Sequence, residues 1–326
     1  MAQHINLSSF NWNPMVQWSN SEDYDSFLEP TSVPFPQICT SSLELNGQVE
    51  PEPSPSSVST TFCQSASWHG YHGIPDAVFC TSDSVLFFVH SHDLLAASDN
   101  GFCSLIPSSN PVIIVTESSA TLNIMLHTIY NLSYSQFSYS FEDLANAVDQ
   151  FAVYGMHPKT YILTNMPLYT LLLSYAPYLP LLVYTCASKH DLQDLAVSSS
   201  SHLLSFNLLT LTDEMAKAIG PSYLRRLFFL QMGRSEALKR LLLYPPSNHT
   251  PTANCNVRDQ QALTRAWALA SAYLVWNSRP DLSTNMLEST FSQLVDDVSC
   301  NLCKMNLYER IKDLSVRWSH VKSMYT

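Results

Sequence analysis

Cys300-Asn-Leu-Cys303 is the residue pattern best suited to chemistry in this chain. Two thiols three residues apart, joined by Cys255 and His320, would supply the four N and S ligands that zinc takes in a tetrahedral site. The second half of such a site normally brings its own close pair, and none is present. If the segment is helical, positions 300 and 303 share a face, where two thiols can simply pack as small apolar groups. A thioredoxin-like role needs a strand before the motif, and the flanking sequence reads as helix. Core packing is therefore the expected role. A zinc-binding or redox centre at Cys300 and Cys303 is the alternative, and no cofactor is expected.

Other constellations carry less. Cys63, His69, His72 and Cys80 are close together, but their spacing fits no standard finger. Asp76 and His90 have the types of an acid–base pair, yet no activated nucleophile accompanies them, so no catalytic residue is assigned and the chain is not expected to be an enzyme. Arg225-Arg226 and Lys239-Arg240 sit on predicted helices and offer a basic face to an acidic partner. Seven glycines in 326 residues, with no Gly-x-Gly-x-x-Gly and no Gly-x-x-x-x-Gly-Lys, leave no common phosphate-binding loop. The formal charge is −11. The first basic side chain is Lys159, so residues 1–158 carry 15 carboxylates uncompensated. Such a surface does not suit nucleic acid.

The elements that would position these residues can be read from periodicity and punctuation. Residues 1–74 hold 14 Ser, 7 Pro and no basic group, the composition of a chain that cannot bury a core. Within it Phe10, Trp12, Trp18, Tyr24, Phe27 and Leu28 alternate with acids, as in short recruiting segments that fold on a partner's groove. From Ile74 the texture changes. Ala77–Cys80 and Val85–Val89 predict a hairpin around Thr81–Ser84, and Val112–Val115 predicts a third strand. His90–Ala97 and Phe102–Ile106 read as helical turns. Helices follow at Leu122–Ile129, behind the capping box Ser140-Phe-Glu-Asp143, and over Pro158–Met166. Residues 160–188 are uncharged and long enough to cross a membrane, but Pro167, Pro177 and Pro180 break them into short buried helices. Thr212 caps a helix to Ile219, Ser222–Met232 forms another, and two or three more fill 258–324. Residues 245–256 read as a linker.

Residues 75–165 resemble a BTB/POZ domain. The resemblance rests on Pro75-Asp76-Ala-Val78-Phe79, Phe88-Val89-His90, Leu94-Leu95-Ala-Ala-Ser98 with Phe102, Ile129-Tyr130, and the helix from Leu144 through Phe151 to Tyr154. The helical region that follows, with Pro180-Leu-x-Val-Tyr and Leu192-x-x-Leu195-Ala196, resembles the tail of fungal BTB proteins. The resemblance implies an adaptor that homodimerises and recruits another protein, with cullin ligases or transcriptional corepressors as the family's partners. In this sequence Ser91 stands where the family often has Arg or Lys after the His, and no Glu follows Phe102, so neither partner is supported by a motif.

The expectation is thus an α+β fold in four parts: a disordered acidic arm over 1–73, a BTB/POZ domain over 74–166, a helical post-BTB region over 167–244, and a helical C-terminal region over 257–326. The expected function is a non-enzymatic protein-interaction scaffold. Asp76, Phe79, His90, Leu94, Ser98, Phe102 and Tyr130 carry the motif, and Leu94, Leu95, Ser98 and Phe102 are the expected dimer contact. The expected partners are protein, without nucleic acid or membrane. With no secretory leader pattern after Met1, the expected place is cytoplasmic or nuclear.

Overall fold

The computed structural model describes residues 57–66, 73–106, 110–276 and 279–325. The hairpin forms as expected: β2 (Ala77–Cys80) and β3 (Val85–Val89) pair antiparallel, with Ala77 opposite Val89 and Phe79 opposite Phe87. Apolar residues alternate inward along both strands, so Phe79, Phe87 and Val89 are buried. The third strand is short: β4 (Ile113–Ile114) runs parallel to β2. A fourth strand, β1 (Ser57–Val58), lies parallel to β3 and completes the order β1-β3-β2-β4.

The disordered stretch expected over 1–73 needs correction at its end. Ser57 and Val58 belong to the sheet, and Phe62 is wholly buried against Phe87, His127 and Tyr130. The buried Phe62 ring and the backbone bonds to β3, Ser59 N–H to the Leu86 carbonyl and Phe88 N–H to the Phe62 carbonyl, together hold a Ser-rich segment whose composition reads as unstructured.

Helices α1 (Ser91–Ala97), α3 (Ser119–Ile129) and α4 (Phe141–Val153) surround the sheet. Ser118 Oγ accepts from the Thr121 N–H at the start of α3, and the Ser140–Asp143 box forms reciprocally at α4. The α2 segment (Gly101–Ser104) departs from the expected helical turn. Phe102, Cys103 and Ser104 all have φ between 52° and 59°, a left-handed turn that L-residues adopt at a cost of about 1–2 kcal/mol each. Ser98 Oγ accepts from the Phe102 N–H and Asn100 Oδ1 from the Cys103 N–H, which holds the turn while Phe102 fills the core. After α4, Gly155 has φ +70°, and a Cβ there would lie 2.5 Å from Asp99 Oδ1, so any other residue would be strained and would push the Asp99 and Asn100 side chains aside.

The uncharged stretch 160–188 is divided as expected. Helices α5 (Pro158–Tyr161), α6 (Pro167–Ser174) and α7 (Pro180–Lys189) each open on a proline, which has no N–H to leave unsatisfied there. Among the described residues no helix is long and apolar enough to cross a membrane. Helices α8 (Gln193–Ser200) and α9 (Asp213–Ile219) follow, with Thr212 capping α9. Helix α10 (Pro221–Leu242) runs ten residues past its expected end. Gly233 lies inside it, but Arg234, Leu238 and Leu242 are buried beyond it and carry the helix on. Helices α11 (Val257–Trp276), α12 (Thr284–Asp296) and α13 (Asn301–Ser319) close the chain.

One continuous core runs from Phe62 to Leu230, across the boundary drawn at 166, and takes in Tyr325. Helices α11–α13 pack on one another, with Trp267 stacked on Phe291 at 4.0 Å. Arg234 ties α10 to this end. Its guanidinium lies over the Trp318 ring and donates to the carbonyls of Pro280, Val321 and Lys322 at 2.6–2.9 Å.

Candidate functional site

The residues singled out in the sheet unit serve the fold. Asp76 accepts from the Ser91 N–H at 2.7 Å and from the Ser91 hydroxyl, at the start of α1. Desolvation works to raise its carboxyl, but the Ser91 bonds win and hold it below the ordinary value. His90 is buried, with Nδ1 3.2 Å from the Tyr130 hydroxyl and Nε2 3.2 Å from the Gly73 carbonyl. The carbonyl can only accept, so Nε2 donates to it, while Nδ1 faces the Tyr130 hydroxyl and lies 3.6 Å from Asp93 Oδ2. The Tyr130 oxygen in turn accepts from the His90 N–H at 2.9 Å. Asp76 and His90 are therefore each engaged in bonds that hold the fold. Phe79 and Phe102 meet edge to face at 5.7 Å, and the Ser98 hydroxyl donates to the Tyr154 carbonyl at 2.7 Å.

The expected dimer contact is narrowed by burial. Leu94 and Phe102 are wholly enclosed by their own chain and have no surface to offer. Ser98 is half-buried and bonded internally, whereas Leu95 is 41% exposed. Phe10, Trp12, Trp18, Tyr24, Phe27 and Leu28, the expected recruitment residues, lie outside the described residues, as do His69 and His72. Of the basic pairs, Arg225, Lys239 and Arg240 face solvent, while Arg226 lies over the rings of Tyr223 and Tyr325.

A second constellation converges in the C-terminal part of the chain. The ligand atoms of His249, Cys255, Cys300 and Cys303 all lie within 4.8 Å of one another. Cys255 and Cys303 are buried, with their sulfurs 3.7 Å apart. His249 Nε2 lies 3.3 Å from both the Cys300 and the Cys303 sulfurs. Three local features bring them together. Cys300 immediately precedes α13 and Cys303 sits in its first turn, so both thiols face one side. Cys255 ends a tight reversal in which Thr252 and Cys255 exchange two backbone hydrogen bonds. His249 is held by Nδ1 against the Thr250 carbonyl at 2.7 Å.

The thiols do not share one environment. Burial works to raise Cys300, but the backbone N–H groups of Cys303 and Leu302 outweigh it and bring the thiol down to about 7. Burial pushes Cys303 up to about 12 and raises Cys255 as well. Three sulfurs and an imidazole nitrogen facing one point form a donor set for a soft divalent cation, with no carboxylate among them.

This corrects the ligand expected from sequence. His320 lies past the far end of α13, roughly 25 Å along the axis from Cys303 at 1.5 Å per residue, and its Nδ1 is bonded to the Val316 carbonyl. The histidine that joins the cysteines is His249, inside the stretch read as a linker. Its signal in the sequence was a histidine six positions before a cysteine, His249-Thr-Pro-Thr-Ala-Asn-Cys255. The chain matches no protein-family model, and no curated protein is similar to it.

Proposed function

We propose that the chain is a non-enzymatic protein-interaction scaffold. On this reading its sheet unit works as a BTB-type domain that homodimerises and presents a surface to a further protein. The carrying observation is apolar surface left uncovered at a sheet edge. β4 ends the sheet order, and Ile114, on that strand, is 79% exposed. An edge strand with an unshielded apolar side chain invites pairing or packing by another polypeptide. The same unit uses its motif Asp and His for caps and backbone bonds, which supports assembly over catalysis. Leu95 on α1 is the exposed member of the dimer contact in this proposal. No residue described favours a cullin ligase over a transcriptional partner.

Sedimentation equilibrium of the full chain at tens of micromolar tests the reading. A species of twice 36.6 kDa is expected. Leu95→Asp places a charge where an apolar contact is proposed, and weakening of the dimer by about 2–3 kcal/mol, or roughly 30–150-fold in Kd, is expected. A strict monomer, or a dimer indifferent to both Leu95→Asp and Ile114→Asp, overturns it.

A further inference from the structure

We propose that His249, Cys255, Cys300 and Cys303 form a structural zinc site that fastens the 243–256 segment to the starts of α11 and α13. This goes beyond the scaffold reading and does not depend on it.

The distances fit the ion. Zinc bonds sulfur at about 2.3 Å and imidazole nitrogen at about 2.0–2.1 Å, and a tetrahedron with those arms has S···S edges near 3.8 Å and S···N edges near 3.5 Å. The cluster has S···S at 3.7 Å and two S···N separations at 3.3 Å. These three edges need shifts of only a few tenths of an ångström; the other three lie within 4.8 Å and would close by up to about 1 Å as the ion binds. Apolar packing alone explains two buried thiols, but not an imidazole nitrogen aimed at two sulfurs.

The histidine is set in the required tautomer. The Thr250 carbonyl can only accept, so the proton sits on His249 Nδ1 and the Nε2 lone pair faces the sulfurs. A ligating imidazole is commonly oriented by such a bond from its other nitrogen. The donor set selects the metal class: three thiolates and one imidazole suit zinc, whereas magnesium and calcium take oxygen. Four protein ligands fill the tetrahedron, which is the mark of a structural site; a catalytic one keeps a position open.

The surroundings show what the ion would secure. Between the end of α10 at Leu242 and the start of α11 at Val257 the chain has no helix, and it contains Pro245, Pro246 and Pro251. Two further ties lead to α13: Asn306 donates to the Ser247 carbonyl at 2.8 Å and Arg310 to the Tyr244 carbonyl at 2.9 Å, while Asn256 bonds to the first turn of α11. Two ligands from this segment, one immediately before α13 and one in its first turn close the same seam. Binding needs each thiol deprotonated, so three protons leave as three Zn–S bonds form, and no electron moves.

The test uses the full chain, expressed with zinc and purified without chelator, and elemental analysis. One zinc per chain is expected. Replacement by Co2+ should give the visible absorption of a tetrahedral ion and a near-ultraviolet thiolate charge-transfer band. Chelation should lower Tm by roughly 10 °C, because a ligand bound only by the folded state stabilises it. His249→Ala should lose the metal while His320→Ala keeps it. The wild-type stoichiometry and cobalt spectrum remain decisive if a variant fails to fold. Less than a tenth of an equivalent of zinc with no cobalt bands overturns the proposal. So does a Cys255–Cys303 disulfide in protein alkylated at lysis, and so does equal metal content in the His249 and His320 variants.

Discussion

His127 and His249 begin from the same device and end in different roles. Each has Nδ1 against a backbone carbonyl: that of Asn123 at 2.8 Å for His127, and that of Thr250 at 2.7 Å for His249. The His127 ring then sits among Phe62, Tyr134 and Phe137, with centroids 5.1–5.5 Å away. Burial there pushes it below the ordinary value, so it is a neutral filler of the core. The other nitrogen of His249 meets two sulfurs. A histidine's role is thus decided by what its second nitrogen meets, and that neighbour lies far away in sequence.

The sharpest way to break the contrast is to remove each ring with and without metal. His249→Ala should lower Tm by roughly 10 °C in zinc-loaded protein, and the loss should vanish after chelation. Thermal melts of both forms check this; a loss that persists without metal would make His249 a packing residue like His127. His127→Ala should cost about 2–4 kcal/mol whether or not metal is present, since it opens a cavity in a closed aromatic cage. Denaturant melts measure it. The smallest effect is acid sensitivity. The folded His127 has a lowered pKa, so its contribution is complete above the unfolded value of 6.5. It is lost as pH falls from there toward the folded pKa, because the unfolded chain takes the proton first. Urea midpoints at about pH 7.5 and about pH 5.5 should therefore diverge less in His127→Gln than in wild type. An unchanged slope would mean that the ring is protonated without penalty.

Much of the scaffold was legible because its signals are local. The Ser140–Asp143 box, the Thr212 cap and the prolines opening α5 and α7 each act within four residues, and each lies where its pattern predicts, although α5 ends at Tyr161 and not at the expected Met166. The hairpin was legible because its inward alternation spans adjacent strands. Other features were hidden because their causes are distant. Phe62 is ordered by residues of α3 and β3, the left-handed turn at Gly101–Ser104 by Ser98 and the closed core around Phe102, and α10 by packing beyond Gly233. The cysteine cluster shows both cases. Cys300 and Cys303 share a helix face and announce themselves, whereas His249 sits among Pro, Ser and Thr, whose composition signals a connection and says nothing of its destination.

The bonds of Arg234 and the burial of Tyr325 bear on how this protein is made. Tyr325 packs edge-on against Tyr184 with centroids 6.1 Å apart, and the Arg226 guanidinium lies over its ring. On a ribosome Tyr184 is made well before Tyr325, so this contact forms only after α8–α13 have been synthesised. Removing the Tyr325 ring, as in Tyr325→Ala, takes an aromatic neighbour from Tyr184, so the effect of that change is felt in α7, far upstream of it.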